Sequence, residues 1–190
     1  RLHVHVLIHR HELRKPSSTG RLVSRTVSGS TCHVYQRETR FHRAAGFPAA
    51  TVAEGETWIL HPSGAPMPTT AHVDESRRPH LLDGTWRQAG EMLRGCEGLG
   101  RCLSLPNAAS EPGRYWLRDQ PAPGQLSTAE ALLAVFTATG EDAALHRFRL
   151  HFELHVYATL LARGRREMAE RYLGHSPLLT EAPGTLEQLH

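Results

Sequence analysis

An acidic and an aromatic side chain stand close together in the segment His80-Leu81-Leu82-Asp83-Gly84-Thr85-Trp86-Arg87, where an apolar, strand-like run gives way to a helical pattern. Open α/β sheets build their sites at such strand ends. A carboxylate placed there can take a proton from a nucleophile or orient a cation, and a Trp can wall a pocket or hold a flat ring. The same residues also fit an ordinary Asp-Gly turn followed by a core tryptophan.

Two further segments repeat the arrangement. Lys15-Pro16-Ser17-Ser18-Thr19-Gly20-Arg21-Leu22 follows the apolar run Val4-His5-Val6-Leu7-Ile8-His9, and Tyr115-Trp116-Leu117-Arg118 precedes Gln125-Leu126-Ser127-Thr128-Ala129-Glu130-Ala131. In the latter, Ser127 or Thr128 caps a helix and Glu130 sits in its first turn, where a negative charge meets the helix dipole favourably. Three polar loops thus flank one sheet.

In this order, the Lys15–Leu22 segment, Leu82-Asp83-Gly84-Thr85-Trp86, and Arg114-Tyr115-Trp116-Leu117-Arg118 with Leu126–Ala131 closely resemble the DTW-domain family, over about Val4 to Tyr172. The ordered combination carries the resemblance; no single motif suffices. It implies a tRNA-uridine aminocarboxypropyltransferase, which moves the 3-amino-3-carboxypropyl group of S-adenosylmethionine onto N3 of a uridine. It further implies, through related enzymes acting on ribosomal RNA, a SPOUT-like knotted fold with the cofactor bent among three loops. Here those would be Pro62-Ser63-Gly64, Leu105-Pro106 and Gln125 to Thr128, with the adenine held mostly by backbone groups. Bacterial relatives usually carry a zinc-knuckle-like segment ahead of the first strand, whereas this sequence opens at Arg1 almost inside that strand.

Aminocarboxypropyl transfer requires that the methionine-side carbon be presented and the methyl group hidden, so orientation decides the product. Leu82, Leu105 and Leu126 are the candidates for an apolar methyl pocket. Uridine N3 must lose its proton, and Asp83 is the candidate base, or alternatively the group that orients the amino end of the cofactor. Trp86 would wall the pocket or stack on the uracil. Cofactor contacts are expected from Pro62, Ser63, Asp83, Thr85, Leu105, Leu126, Ser127 and Thr128, although Thr85 also reads as a helix-starting residue. Arg14, Lys15 and Arg21 flank the first polar loop, where the resemblance implies contact with the tRNA or with the cofactor carboxylate, a phosphate role resting on charge alone; Arg114 and Arg118 are expected to bind tRNA phosphate or that carboxylate, or to form surface ion pairs.

Three other functions compete. The fourteen histidines include His3 and His5 at alternate strand positions and His151 and His155 one helical turn apart, spacings that can chelate a metal in a hydrolase. The helical pair, however, lies in His-Phe-Glu-Leu-His, without the Glu directly after the first His that metalloprotease chemistry uses. No acidic cluster accompanies it, and no metal is expected. Cys32, Cys96 and Cys102 have no Cys-x-x-Cys spacing and supply no zinc site of that type. A SPOUT-like RNA methyltransferase would release S-adenosylhomocysteine instead of 5′-methylthioadenosine, and the Asp-Gly-Thr-Trp element argues against it. A noncatalytic RNA-binding module is weakened by the absence of an exposed aromatic platform.

The elements that must position these residues alternate. Strands are expected over residues 3–9, 31–36, 57–61 (stopped by Pro62-Ser63-Gly64), 79–82 and 101–105. Helices are expected from Ser17 or Ser18 to about Val27, from Trp86 to about Leu93, over Thr128–Thr139, and from Glu141 to about Arg163. Alternation of this kind predicts an α/β fold with a largely parallel sheet flanked by helices and a long C-terminal helix. In that helix Leu145, Phe148 and Phe152 mark one face and Leu150, Leu154, Tyr157 and Leu161 a neighbouring one, so it must pack on two sides. From His175 onward, prolines and a glycine suggest chain draped over the surface.

At 190 residues and 39% apolar content, the chain suits one domain, residues 1–190, with a sizeable core. No run approaches the roughly 20 apolar residues that span a bilayer, no signal-peptide pattern appears, and three scattered cysteines suit a reducing cytoplasm. The net charge of +3 is unevenly divided: residues 1–43 hold nine Lys or Arg against two acids, and the remainder thirteen against seventeen. A basic first third on a near-neutral body fits a phosphate-backbone surface and so a tRNA partner, or simply a solvated Arg-rich face.

Overall fold

Period-two burial builds the first strand, β1 (His5–His9): Val6 and Ile8 enter one core while Leu7 enters another on the opposite face. The computed structural model describes residues 2–35, 57–68, 77–105, 113–118 and 126–176. It contains β1, α1 (Gly20–Thr26), β2 (Thr31–Tyr35), β3 (Thr57–Pro66), β4 (Arg78–Asp83), α2 (Trp86–Gly95), β5 (Arg101–Ser104), α3 (Thr128–Thr139), α4 (Asp142–Ala162) and α5 (Arg166–Gly174). The five strands form one parallel sheet in the order β2-β1-β4-β3-β5. The chain is therefore an α/β protein with helices on both faces.

Helix α2 covers one face, closing a small core of Leu7, Tyr35, Ile59, Met92 and Cys96. The other face carries α1 and α3, with α4 packed outside them against α1, α3 and α5. The main core lies there, from Val4, Val6, Ile8 and Leu81 out to Leu132, Phe136, Phe148, Phe152, Val156 and Leu160. Phe148, Phe152, Val156, Tyr157 and Leu160 of α4 are thus buried within the chain, and Leu145, Leu150, Leu154 and Leu161 pack against that core while partly exposed. Leu81 enters this larger core and Asp83, two residues on, shares its side of β4, which aims the carboxylate at α1 and α3.

Three details differ from the sequence expectation. Strand β3 does not stop at Pro62: Leu60 and Ala65 both pair with Leu103, so the residues between them form a bulge and the strand resumes to Pro66. Proline's missing N–H is tolerated there, and a side chain at Gly64 would put its Cβ 2.5 Å from the Leu103 backbone nitrogen. Helix α1 begins at Gly20 rather than at Ser17 or Ser18, because those hydroxyls bond elsewhere. Helix α5 was not anticipated, since its Arg- and Glu-rich sequence buries only Ala169 and Tyr172. Pro106, Gln125 and the chain beyond Ser176 lie outside the described residues.

Candidate active site around Asp83

Strand β4 ends on Asp83, which is only 5% exposed. Both of its oxygens are engaged: Ser18 Oγ donates to Oδ2 at 2.6 Å and Thr128 Oγ1 donates to Oδ1 at 2.6 Å. The donors come from sequence positions 65 and 45 residues away, so one carboxylate joins the loop after β1, the end of β4 and the start of α3. Gly20 makes this possible, since a Cβ there would lie 2.7 Å from Asp83 Cγ. Burial pushes the Asp83 carboxyl above its ordinary value, and the two hydroxyl bonds only partly oppose it. A carboxyl so placed is suited to proton transfer nearer neutrality than a free aspartate.

The two neighbouring helix starts are fixed by capping boxes. At α2, the Thr85 backbone N–H donates to Gln88 Oε1 at 2.7 Å, and Thr85 Oγ1 accepts from Gln88 N at 3.4 Å. At α3, Ser127 Oγ accepts from Glu130 N at 3.2 Å, and Glu130 Oε2 accepts from Ser127 N at 2.7 Å. The other oxygen of Glu130 accepts from the N–H groups of Arg114 and Tyr115, at 2.7 and 3.1 Å. A buried capping residue therefore also holds the 113–118 segment against the site. Thr19, the residue before α1, uses its hydroxyl to accept from Ala129 N at 3.2 Å, binding α1 to α3.

These elements enclose a cavity of about 390 Å³ at the bulge of β3 and the C-terminal ends of β4 and β5, within the range of small-molecule sites. Apolar walls come from Leu60, Leu81, Leu82, Leu105, Leu126 and Ala131. Polar groups come from Ser17, Thr19, Asp83, Arg118, Ser127 and Thr128, and Trp86 stands at the wall 37% exposed.

Of the residues expected from sequence to form the site, the fold brings Pro62, Asp83, Trp86, Leu105, Leu126, Ser127, Thr128 and Arg118 to this one cavity. Ser63 lies in the β3 bulge, bonded to the ring of His61, and Thr85 is occupied in its capping box; neither lines the cavity. Arg14, Lys15 and Arg21 are exposed and outside it; Lys15 pairs with Glu12 at 2.6 Å, and Arg21 donates to the Leu13 carbonyl at 2.9 Å. The Arg114 guanidinium stacks 4.3 Å over the Tyr172 ring of α5 and lies 3.7 Å from Glu153 of α4, so its charge is spent against those helices rather than at the cavity.

Two residues of the site carry no functional signal in the sequence, Glu12 and Tyr115. Glu12 is buried and joins Arg118 to Lys15, and the Tyr115 hydroxyl donates to the Ser17 carbonyl. Nothing local distinguishes the first from the charged surface residues around it, or the second from a core tyrosine.

The histidines fall elsewhere. His80, His5 and His33 form a stack across β4, β1 and β2, with ring centroids 4.6 and 5.8 Å apart. His3 and His151 are exposed, and His155 is half-buried. Among the described residues no group of three or more His, Cys, Asp or Glu is arranged to hold a metal ion, and no helix is long and apolar enough to cross a membrane.

Comparison with known proteins agrees with the motif pattern. A family model described as the DTW domain matches residues 1–162. A Drosophila melanogaster protein named tRNA-uridine aminocarboxypropyltransferase 2 is 30% identical over 130 residues, covering 66% of this chain and 51% of its own length. The chain thus spans about half the length of that curated relative. No solved structure matches.

Proposed function

Because the chain belongs to the DTW-domain family, we propose that it transfers the 3-amino-3-carboxypropyl group of S-adenosylmethionine to N3 of a tRNA uridine, releasing 5′-methylthioadenosine. The observation that carries this reading is the buried Asp83 at the wall of an apolar-sided cavity beside a partly exposed Trp86.

The cavity suits the cofactor in kind. Its volume of about 390 Å³ is that of a small-molecule site, and apolar walls adjoin a few polar groups at strand and helix ends. Leu82, Leu105 and Leu126 supply apolar surface against which a methyl group is hidden, while Pro62, Ser127 and Thr128 bring backbone and hydroxyl groups to the same space. When bound, S-adenosylmethionine supplies an electrophilic carbon on its aminocarboxypropyl arm.

Asp83 takes the proton from uridine N3 through one of its carboxylate oxygens. Ser18 and Thr128 hold those oxygens in place, and burial raises the carboxyl toward the working pH, which favours proton acceptance over permanent ionisation. Trp86 stacks on the uracil extruded from its loop, as single-stranded bases commonly stack on aromatic faces. The tRNA backbone runs over the basic first third, where Arg14, Lys15 and Arg21 are exposed.

The test is to follow label from S-adenosylmethionine carrying isotope either in the methyl group or in the amino-acid arm. Label entering tRNA from the arm alone supports the proposal. Label entering from the methyl group would make the protein a methyltransferase with the same cavity.

A further inference from the structure

Arg118 is the only Lys or Arg, and Asp83 the only Asp or Glu, among the described residues that line the cavity. The guanidinium is clamped on one edge. Its Nη2 donates to Glu12 Oε2 at 2.6 Å and to Ser17 Oγ at 3.1 Å, and its Nε donates to the same Ser17 Oγ at 3.2 Å. Nη1 makes no hydrogen bond among the described residues.

Glu12 makes the clamp unusual. It is 1% exposed, and its second oxygen accepts from Lys15 Nζ at 2.6 Å. Burial alone would raise its carboxyl, but the bonds from Lys15 and Arg118 outweigh this and hold it below its ordinary value, so it stays ionised. A buried carboxylate is costly and is retained only when well paired. Here one negative charge is shared between two positive ones. Lys15, outside the cavity, shares Glu12, so Glu12 only partly offsets Arg118, and Asp83 is the other acid that faces it among the described residues. With Glu12 and Arg118 alone the pair would be neutral.

We propose that Arg118 binds the carboxylate of the donor's aminocarboxypropyl arm, and that Glu12 is its positioning residue. This rests on the donor assignment above. S-adenosylmethionine carries positive charge on its sulfonium and its amine, and only its carboxylate is an anion. A single cavity cation held in one orientation, with its Nη1 hydrogens still to be satisfied, matches that group through a charge-assisted contact. An RNA phosphate is the rival anion. Arg118 lines the cavity among apolar walls, whereas the exposed Arg14 and Arg21 lie outside it, which favours the donor.

The test compares binding of S-adenosylmethionine, its decarboxylated form and 5′-methylthioadenosine by calorimetry, and of unmodified tRNA alongside them, for the wild type and for Arg118→Met, Arg118→Lys and Glu12→Gln. The wild type should prefer S-adenosylmethionine over the decarboxylated form by roughly ten- to a hundredfold, the worth of one charge-assisted contact. Arg118→Met should flatten this ratio to near one while 5′-methylthioadenosine binds as before. Arg118→Lys, which keeps a charge but not the clamped orientation that Glu12 and Ser17 impose, and Glu12→Gln, which loosens the clamp, should each retain only part of it. Equal wild-type affinity for the two donors overturns the role of Arg118 and leaves the donor assignment standing. Failure of the wild type to bind any of the three overturns the donor assignment itself. A uniform loss for all three ligands in Arg118→Met and Arg118→Lys makes the clamp purely structural. An unchanged ratio with weakened tRNA binding assigns Arg118 to phosphate instead.

Discussion

Ser18 and Asp83 lie 65 residues apart in sequence and 2.6 Å apart in the fold, joined by a buried hydrogen bond from the serine hydroxyl to Oδ2. Thr128 makes the equivalent bond to Oδ1. The site is therefore organised around one carboxylate that three segments share, and the same bonds tune its protonation. Ser18→Ala and Thr128→Ala should each cost about 1–3 kcal/mol of stability, as expected for loss of one partner of a buried charged acceptor. With a donor removed, burial acts less opposed, so the Asp83 carboxyl moves further up. The acid limb of the pH–rate profile should then shift to higher pH in both variants, measured as kcat/KM against pH.

Gly20 sets how closely α1 approaches Asp83. In Gly20→Ala the added Cβ would fall 2.7 Å from Asp83 Cγ, forcing α1 or the carboxylate to shift. The expected cost is roughly 1–3 kcal/mol, typical of overpacking, with a larger fractional loss of activity than of stability. Urea denaturation and turnover measured on the same preparation check this.

Glu130 combines a helix cap with a loop anchor. Its carboxylate accepts three backbone bonds, from Arg114, Tyr115 and Ser127. Glu130→Gln replaces one acceptor oxygen with an NH2 group that cannot accept, and should cost about 1–3 kcal/mol. Proteolysis near residues 113–118 should rise in this variant, detected by mass spectrometry of the fragments.

The histidine stack predicts acid sensitivity. Burial lowers His5 to about 3 and His80 to about 4, from an ordinary value of 6.5, so both rings are neutral in the fold. In the unfolded chain they take up protons as pH falls through 6.5. Their contribution to stability is full above 6.5 and is lost as pH drops from there toward 4 and then 3. Urea midpoints should therefore fall between pH 7 and pH 4. His80→Phe, provided it packs, should make that fall shallower.

Much of the site was legible because its main signal is local. Asp83 and Trp86 stand where a buried strand meets a capped helix, and the sequence offers Ser127 or Thr128 as a cap with Glu130 in the first turn, which the fold resolves into a Ser127–Glu130 capping box. Ser18 and Thr19 were harder: a hydroxyl before a helix reads as a cap, yet these two bond to Asp83 and to the Ala129 N–H. Local capping and long-range bonding use the same residue types, so only the fold separates them. Glu12 sits in a run of charged residues that reads as surface, and its burial depends on Arg118, 106 residues away. Arg114 and Arg118 look equivalent in sequence, but one stacks on Tyr172 and the other lines the cavity, because successive side chains of an irregular segment follow no fixed period. The continuation of β3 past Pro62 needed a bulge that pairing with β5 creates.

The most direct measurement is to incubate the protein with S-adenosylmethionine and unmodified tRNA, then analyse the small-molecule product and the digested nucleosides by mass spectrometry. Formation of 5′-methylthioadenosine together with aminocarboxypropyl-uridine, both lost in Asp83→Asn, is the expected result. S-adenosylhomocysteine with a methylated nucleoside, or unmodified tRNA from folded protein that binds the donor, would contradict it.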